Sequence, residues 1–577
     1  MNDFLIIHST IESKYLSDNV IELADQWCIY TRNDVYSDFQ NEEKRYLVFG
    51  DLIDSKELLF TTQDEDIPKL KGNFYIVVID SERIKIYQSF FSLLPIYITN
   101  DKKLIGTSYH WIEQHAQGSL QIDKKFILEN LLFNYGFFNR TKYKEIKLLP
   151  CNSFIKLQGQ DATIQNHFEV INFYKNCKKA KTANQLSNLF IGTTASYFPD
   201  EHFHIAFTSG FDGRTLVSCA SYLQKNFSTF SFGRPANDDV TIPKNNAKSL
   251  SIPYEYFNLG TTEYIQEAYA KSANAFTTSG CLGNGFLYAH FPFSAKEISR
   301  KSNYLISGVC GSELFRALHT AGAVTSQALT DVFKINTKTE LRVRLKNSKT
   351  LEVLNKQEFE TELDELIEEV IAYKEGLPQN ISLNQQFYVF VFEEIFRKFF
   401  GQWVMSQQQY LNVRTPFLDF DFVKALLESK YAGANNDFFT KNPLKRVKGQ
   451  YIYADIIRKT NTTIYQQLTG KGYTPRDVRS PLHRLNIILP FIQKRLKRKV
   501  KKTYLDNLGI VSGVQHYRVV LQSLFHKTPL FDDKELSNRL ANLSDFTPEK
   551  ERDTLLMSLA ILYNLQDEKI TTKLKIA

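Results

Sequence analysis

Cysteine is scarce in this chain of 577 residues, which has only six, scattered along its length. None of them forms a C-x-x-C pair, so the sequence predicts neither a zinc ribbon nor a disulfide framework. Free thiols in a reducing compartment are expected instead. The six are Cys28, Cys151, Cys177, Cys219, Cys281 and Cys310.

Long apolar runs are also missing from the sequence. No window approaches the ~18 uninterrupted apolar residues of a membrane span. The apolar stretch within residues 1–7 is too short for a secretory signal, and no basic segment precedes it. We therefore expect a cytoplasmic protein without a membrane partner.

Internal repeats and low-complexity tracts are absent, whereas aromatic residues are plentiful, with 45 Phe and 30 Tyr to bury. The hydrophobic share of 43% and the charged share of 23% are typical of a globular protein. A chain this long is too large for a single hydrophobic core, so two or more domains are expected. The net charge of +8 suits nucleotides, phosphates or acidic substrates and does not by itself favour nucleic acid.

The first 165 residues are rich in predicted strands. Runs of β-branched and aromatic residues at 46–49, 74–79 and 84–87 are separated by polar or glycine-containing turns. A helical pattern follows at 123–137, and a further strand pair ends near Leu157. The polar, lysine-rich stretch 166–182 is interpreted as a linker.

From residue 183 the pattern alternates between helix and strand. A helix at 183–197 precedes a strand at 204–207, a loop of small residues and a helix at 214–224. Further strands are predicted at 228–232 and 304–307, and from Phe387 onward the chain is mainly helical. This repetition predicts a parallel sheet with helical crossovers.

The loop at 208–215, with the sequence Thr-Ser-Gly-Phe-Asp-Gly-Arg-Thr, carries the densest chemical signal. Its small residues let backbone N–H groups approach a phosphate, and the following helix N-terminus favours negative charge. Asp212 would repel a bare phosphate, but a carboxylate there can hold Mg²⁺ bound to pyrophosphate. The alternative, which the loop taken alone favours, is an ordinary Gly/Ser/Asp turn.

Four segments in order resemble the asparagine synthetase family. The loop is similar to the S-G-G-x-D-S pyrophosphate loop of the ATP pyrophosphatases through Ser209, Gly210 and Asp212. Segments 229–239, 306–315 and 413–419 resemble that family's second strand and loop, its S-G-E-G-A-D-E-L-F segment and its V-R-x-P-F-L-D stretch. Four ordered matches are far more specific than any one of them.

The N-terminal part resembles the glutaminase-like domain of the same family at 48–52, 72–74, 94–97 and 146–150. The likeness extends to about Ala454. It implies an α/β protein with an Ntn-hydrolase-like αββα glutaminase-type domain at 1–165. An ATP-pyrophosphatase (adenine nucleotide α-hydrolase-like) parallel-sheet domain would follow at 183–480, with a helical, basic C-terminal extension at 481–577.

Three departures remove the glutaminase chemistry that this family would imply. The family's nucleophile is an N-terminal Cys exposed by loss of Met1, but position two here is Asn2, whose amide is not a nucleophile. Its oxyanion-donating Asn is replaced by Phe49, and the Asp that would hold the glutamine amine is replaced by Lys71. We expect no glutamine hydrolysis.

The resemblance then implies an AMP-forming ligase similar to β-lactam synthetases and lasso-peptide cyclases. With ATP and Mg²⁺ it would adenylate the carboxylate of a small molecule or peptide, and an amine would displace AMP. Asp212 would carry the metal, and Lys448 and Glu313 would be catalytic. The residues expected at the nucleotide are Thr208, Ser209, Gly210, Asp212, Gly213, Ser307 and Gly308.

The synthetase half also departs from the family pattern. Ser312 stands where the family has a second Asp metal ligand, and Val309 where it has Glu. Gln450 aligns with the late catalytic Lys, for which the flexible Lys448 or Lys445 would have to substitute. Two interpretations remain open: a ligase with altered metal ligation, and a catalytically inactive nucleotide-binding or scaffold homologue.

The strongest charge run extends from Lys494 to Lys502. Such runs are usually solvated helix faces, and the alternative is a docking surface for an acidic partner. The last helical pattern predicts a helix that packs on the body of the protein. Its apolar positions are Leu555, Leu556, Leu559 and Leu562.

His202 and His204 flank a single residue at the start of a predicted strand. A strand-edge or loop role is favoured for them over a metal site. Arg414 is expected to have a structural role, buried beside Asp419.

Overall fold

The computed structural model describes residues 3–11, 19–31, 35–81, 83–175, 181–316, 324–436, 448–483, 485–490, 492 and 506–565. Within them the chain is a mixed α/β protein with three sheets. The strands are β1 (Phe4–His8), β2 (Val20–Glu22), β3 (Trp27–Thr31), β4 (Ser37–Gln40), β5 (Arg45–Leu52), β6 (Gly72–Ile79), β7 (Ile84–Gln88), β8 (Tyr97–Thr99), β9 (Leu104–Gly106), β10 (Ile146–Leu148), β11 (Ser153–Gln158), β12 (Asp161–Asn166), β13 (Phe203–Ala206), β14 (Phe227–Gly233), β15 (Tyr254–Asn258), β16 (Tyr304–Ile306) and β17 (Asn412–Arg414).

In the part of the chain that the structure describes, no helix combines the length and the apolar character that crossing a bilayer requires. Two helical stretches are of the π type, Tyr264–Ala268 and Val391–Phe400. The α-helices are α1 (Lys56–Thr61), α2 (Tyr109–His115), α3 (Lys124–Phe133), α4 (Asn172–Lys175), α5 (Ala183–Tyr197), α6 (Asp212–Tyr222), α7 (Asp238–Ser249), α8 (Tyr269–Thr277), α9 (Gly285–Tyr288), α10 (His290–Ile298), α11 (Gly311–Phe315), α12 (Gln327–Lys334), α13 (Lys338–Lys346), α14 (Glu360–Gly376), α15 (Leu383–Phe390), α16 (Gly401–Gln408), α17 (Phe420–Leu427), α18 (Gln450–Thr460), α19 (Thr462–Gln466), α20 (Pro475–Arg479), α21 (Ile510–His516), α22 (Arg518–Gln522), α23 (Asp533–Ala541) and α24 (Glu549–Asn564).

Two six-stranded antiparallel sheets, with strand orders β10-β8-β9-β1-β3-β2 and β12-β11-β7-β6-β5-β4, lie face to face. Because side chains alternate along a strand, Phe4 and Ile6 of β1 point between the sheets, where the Phe4 ring lies 4.7 Å from that of Phe49 on β5. Leu5 and Ile7 point the other way, into a cluster with α2 and α3. The outer face of the second sheet packs against α1. The layers are therefore helix, sheet, sheet, helix.

The third sheet has the order β15-β14-β13-β16-β17, and every neighbouring pair runs parallel. The predicted parallel sheet is thus confirmed, and the strands predicted at 204–207, 228–232 and 304–307 correspond to β13, β14 and β16. From β13 the chain proceeds to β14 and β15 on one side and then returns to β16 and β17 on the other. The topological switch point lies between β13 and β16.

Two predicted helices have different ends in the structure. The helix predicted at 123–137 stops at Phe133, because Asn134 adopts a left-handed conformation with φ 75° that terminates α3. The helix predicted from 214 begins two residues earlier, at Asp212. The final predicted helix is confirmed as α24, and its four apolar positions are buried.

The stretch interpreted as a linker, 166–182, is packed where the structure describes it. The Phe173 side chain of α4 is only 5% exposed, and its ring centre lies 5.9 Å from that of Phe420 on α17. Burying a Phe side chain contributes roughly 2 kcal/mol, enough to outweigh the polar composition around it. The linker interpretation is wrong for this part, because the Phe168 and Phe173 rings pack against those of Phe90 and Phe420.

The parallel sheet is joined directly to the second antiparallel sheet. Asn73 Nδ2 of β6 donates a hydrogen bond to the Val413 carbonyl of β17 at 2.7 Å. Arg414 donates to both carboxylate oxygens of Asp51 on β5, at 2.6 and 3.0 Å. The structural role expected for Arg414 agrees with this geometry, but the expected partner was wrong, because Asp419 caps the N-terminus of α17 instead.

Candidate functional site

The loops that follow β13 and β16 meet at the switch point. Gly308 lies so close to α6 that an added Cβ atom would be 2.8 Å from Asp212 Cβ. From α11, which follows the same loop, the Ser312 hydroxyl donates to Asp212 Oδ2 at 2.9 Å. Ser307 begins this loop, and its N–H donates a hydrogen bond to the Arg414 carbonyl at 2.9 Å. The structure therefore brings together two segments, 100 residues apart at Asp212 and Ser312, for which the sequence predicts one nucleotide site.

Hydrogen bonds to hydroxyl and carboxylate groups fold the loop 208–213. The N–H and the hydroxyl of Ser209 both donate to Asp239 Oδ1, at 3.1 and 2.5 Å. The Gly210 N–H is 3.4 Å from the Thr208 hydroxyl. Gly213 packs against the end of β13, where an added Cβ would lie 2.1 Å from the Ala206 carbonyl oxygen. Glycine is therefore needed at 213 for the strand and helix to approach this closely.

Asp212, the expected metal ligand, is already hydrogen-bonded through both carboxylate oxygens. Oδ2 accepts from Ser312, and Oδ1 accepts from the Tyr453 hydroxyl of α18. Burial, and then the charge of Asp212, raise the pKa of Tyr453 well above its ordinary value, so its hydroxyl keeps the proton it donates. Among the described residues, no three His, Cys, Asp or Glu side chains are grouped to hold a metal. As arranged, these residues do not fit a magnesium ion.

Glu313 is the titratable group at this site whose pKa lies near neutrality. Burial raises the pKa of Glu313 to about 7, and the negative charge of Asp212 adds to the shift, while Arg316 opposes it. A carboxyl group with this pKa exchanges its proton at physiological pH, which suits general acid–base chemistry.

The segment 448–450 passes directly over the end of α11. An added Cβ at Gly449 would be 1.4 Å from the Phe315 carbonyl oxygen. The backbone that follows Lys448 is therefore in very close contact with the end of α11. The Gln450 side chain is buried, and its Oε1 accepts a hydrogen bond from Tyr473 at 2.8 Å. Gln450 therefore anchors α18. Lys445, the other substitute considered for the family's lysine, lies outside the described residues.

Arg214 places a buried positive charge beneath the loop. Its side chain donates to the carbonyls of Gly210 at 3.4 Å and Leu468 at 3.0 Å. Burial lowers the pKa of Arg214 to about 10, which still leaves it charged at neutral pH. None of the carboxylates that the structure describes forms an ion pair with it. A buried cation paired only with neutral carbonyls is stabilised by an anion bound nearby.

Three residues of this site received no role from the sequence. Asp239 could have been found, because it follows β14 at the same edge of the sheet as the loop after β13. Arg214 belongs to the loop 208–215, but only the structure shows that its side chain is buried without a carboxylate partner among the described residues. Tyr453 is 241 residues from Asp212 along the chain, and no local pattern marks it.

Two of the three residues that the sequence resemblance aligns with glutaminase positions have structural partners. Phe49 packs in the core between the sheets, and Lys71 Nζ lies 3.4 Å from Asp54 Oδ1, whereas Asn2 is outside the described residues. A cavity of about 370 Å³, lined by Asp3 and Thr107 among others, lies at the amino ends of β16 and β17. Its described lining contains neither cysteine nor histidine, so it offers no thiol–imidazole pair.

The remaining candidates lie apart from the switch point. His202 Nε2 is 2.9 Å from the Ser228 hydroxyl, and His204 Nε2 is 3.4 Å from Glu255 Oε1, so the two rings have separate partners. The five described cysteines are free thiols, and Cys177 lies outside the described residues. The charge run from Lys494 to Lys502 also lies outside them.

Comparison with known proteins adds little to this geometry. No family model matches the chain, and no curated protein matches it. Twenty-two chains among the solved structures do match, and one of them is a glutamine phosphoribosylpyrophosphate amidotransferase from B. subtilis complexed with ADP and GMP. It is 7% identical over 60% of this chain and 82% of its own, with a TM-score of 0.16. A likeness this weak carries no argument about this protein.

Proposed function

We propose that this protein binds ATP at the switch point of its parallel sheet and uses it to join a carboxylate to an amine without hydrolysing glutamine. The observation that carries the proposal is the meeting of the loops after β13 and β16 around Asp212. In open α/β sheets, ligands bind at the carboxyl ends of the strands where the strand order reverses.

Phosphate recognition at this point is supported by charge. The loop leads into the N-terminus of the 11-residue helix α6, whose free N–H groups and dipole favour an anion. The Arg214 guanidinium below the loop has no carboxylate partner among the described residues. Lys471 lies on the other side, with Nζ 5.6 Å from the centre of the Phe211 ring. The triphosphate of ATP supplies the negative charge that this arrangement favours.

The proposed reaction has two steps. An oxygen of the substrate carboxylate attacks the α-phosphorus of ATP, and pyrophosphate leaves. The amine nitrogen then attacks the acyl carbon, AMP leaves, and the surplus proton of the amine passes to a base. Glu313 suits the role of this base because its pKa is about 7. We assign to Lys448 the role of balancing charge on the phosphate.

A nucleotide-binding homologue without catalysis is the second candidate, and one observation favours it. Both oxygens of Asp212 are occupied by the hydroxyls of Ser312 and Tyr453, where the family would hold a metal. With Gln450 tied to Tyr473, the position aligned with the family's lysine carries no charge. Under this candidate function the protein binds ATP but does not catalyse the joining of a carboxylate to an amine.

Calorimetric titration of ATP tests the shared ATP site. We expect wild-type protein to bind ATP with EDTA present, and Asp212→Asn to tighten that binding roughly tenfold by removing a negative charge close to the phosphates. Asp200→Asn is the matched control, because Asp200 is fully exposed and contacts only the surface Lys225. Absence of heat from ATP in wild type, with and without Mg²⁺, would overturn both candidates.

Pyrophosphate release separates the two candidates. Release that depends on ATP, a carboxylate and an amine supports the synthetase, and Glu313→Gln should slow it at pH 8 without abolishing ATP binding. Release with aspartate and ammonia would identify asparagine synthesis as the narrower activity. Binding of ATP without release for any carboxylate and amine tried leaves the non-catalytic candidate.

A further inference from the structure

A groove of about 680 Å³ lies in the C-terminal helical region, and none of the described switch-point residues lines it. Its lining comes from three places along the chain. These are α23, the loop 542–548 with the start of α24, and the segment 349–352, which begins in the 3₁₀ turn Lys349–Leu351. Small-molecule sites commonly have volumes of about 300–1,000 Å³, so this groove is large enough to hold a ligand.

The charged groups of the groove compensate one another. The described lining contains the basic Lys349, Arg539 and Lys550 and the acidic Glu352, Glu535 and Glu551. Arg539, whose side chain is only 14% exposed, donates to Glu535 Oε1 at 2.7 Å and to Glu352 Oε2 at 3.0 Å. Because charges of both signs line the groove in equal number, neither an anion nor a cation is favoured there.

Two asparagine side chains present an oriented donor and acceptor in this lining. Asn542, just after α23, donates through Nδ2 to the carbonyl oxygen of Asn538 at 3.0 Å and to its Oδ1 at 2.8 Å. These bonds fix the direction of both amides. Within the described part of the chain, Nδ2 of Asn538 is left to donate and Oδ1 of Asn542 is left to accept. Both residues are exposed, so a ligand can reach the two groups together.

Phe546 adds an exposed aromatic ring to the lining. The residue is 68% exposed, although the loop that carries it is held by its own hydrogen bonds. The Phe546 N–H donates to Ser544 Oγ at 3.3 Å, and the Ser544 N–H donates to Thr547 Oγ1 at 2.9 Å. A ligand that covers the ring removes apolar surface from water, which favours binding.

We propose that this groove binds a neutral carbohydrate of a few sugar rings. A hydroxyl group donates and accepts at the same oxygen, so neighbouring hydroxyls of one sugar satisfy Asn538 Nδ2 and Asn542 Oδ1 together. The C–H face of a sugar ring is apolar and packs on the ring of Phe546. A ligand without net charge also suits a groove whose own charges are balanced.

The composition of the lining favours a carbohydrate over a peptide. A groove that binds a peptide holds it mainly through apolar pockets for its side chains. Here the described lining has six amide or hydroxyl side chains against three apolar ones, which are Phe546, Pro548 and Leu555. Most of this surface is therefore suited to hydrogen bonds with hydroxyl groups.

Saturation-transfer NMR of the full-length protein with maltotriose, cellotriose and mannotriose tests the proposal. We expect at least one of the three to receive saturation, most strongly at the C–H protons that contact Phe546. The charged trimers of galacturonate and of glucosamine should bind at least about tenfold more weakly, because each meets like charges in the groove. The measurement needs no ATP, so its result is independent of the proposed ATP site.

Absence of saturation transfer to all three neutral trisaccharides would overturn the proposal. Tighter binding of either charged trimer would also overturn it, because the ligand would then be chosen by charge.

Two single variants locate the binding in this groove. Phe546→Ala should weaken binding of the trisaccharide about tenfold by removing its apolar contact, and Asn538→Leu about fivefold by removing a donor. The matched controls are Val519→Ala, at a residue that is 80% exposed and outside the groove, and Asn188→Leu, at an exposed position of α5. Unchanged melting temperatures verify the fold of all four variants. Binding that neither Phe546→Ala nor Asn538→Leu weakens lies elsewhere on the protein, and the proposal then fails.

Acetylated and amidated trialanine tests the peptide alternative. If this peptide binds and Phe546→Ala weakens its binding, while none of the neutral trisaccharides binds, the groove is a peptide site and the carbohydrate proposal fails.

Discussion

At the scale of single residues, we expect His290, at the start of α10, to lower the stability of the protein in acid. Its ring lies 4.5 Å from that of Phe232 and 4.4 Å from that of Phe291, and burial alone lowers the pKa of His290 to about 3. Between pH 6.5 and 3 the unfolded chain therefore binds a proton that the folded protein does not, so stability is lost as the pH falls. We expect the free energy of unfolding to fall by about 1.4 kcal/mol per pH unit more in wild type than in His290→Gln.

Urea unfolding at pH values from 6.5 to 4 measures this difference. His290→Leu serves as a second variant without a titratable ring and should show the same reduced slope as His290→Gln. Parallel curves for wild type and both variants would show that His290 takes up its proton in the folded protein.

At the scale of elements, the contact between β13 and α6 depends on Gly213. A Cβ at this position would lie 2.1 Å from the Ala206 carbonyl oxygen, and backbone cannot move aside as a flexible side chain can. We expect Gly213→Ala to destabilise the protein by about 1–3 kcal/mol, because α6 must shift away from the sheet. The same shift displaces the loop 208–213, so ATP binding should also be lost.

Gly192→Ala is the matched control for this change. Gly192 lies within α5, and an added Cβ there meets no atom within 4 Å. The substitution should stabilise the protein by up to about 1 kcal/mol, because alanine is the better helix former. Chemical denaturation of both variants provides the comparison, and a neutral Gly213→Ala would contradict the tight contact.

At the scale of the whole molecule, Arg414 and Asp51 join the parallel sheet to the antiparallel sheets. Arg414 also donates to the Tyr197 carbonyl at 3.1 Å and lies 4.5 Å from the centre of the Tyr304 ring. Arg414→Met leaves the Asp51 carboxylate buried without its partner, which should cost about 3–5 kcal/mol. Because the packing crosses this boundary, we expect one calorimetric transition that moves to lower temperature as a whole.

The double variant Arg414→Met with Asp51→Leu is the control for unpaired charge. Removing both charges should recover much of the loss, since the penalty of the single variant comes from the carboxylate left behind. Two separate transitions, only one of which responds to Arg414→Met, would show that the two halves unfold independently.

Local pattern was sufficient to predict much of the secondary structure. Runs of β-branched and aromatic residues placed β5, β6 and β7, and the strand–loop–helix repetition placed β13, α6 and β14, within a few residues of their observed bounds. It failed at the ends, as at Asn134, where a left-handed residue stops a helix whose apolar pattern continues. It also failed at Phe173, because composition cannot show which aromatic side chains find a partner.

The sequence by itself determined the loop at 208–213 and its position between a strand and a helix, because both follow from the pattern of neighbouring residues. Only the tertiary structure decided what surrounds Asp212. Its partners Ser312 and Tyr453 are 100 and 241 residues away, and Asp51 is 363 residues from Arg414. Hydrogen bonds and ion pairs act over a few ångströms in space, and only folding places such distant residues in contact.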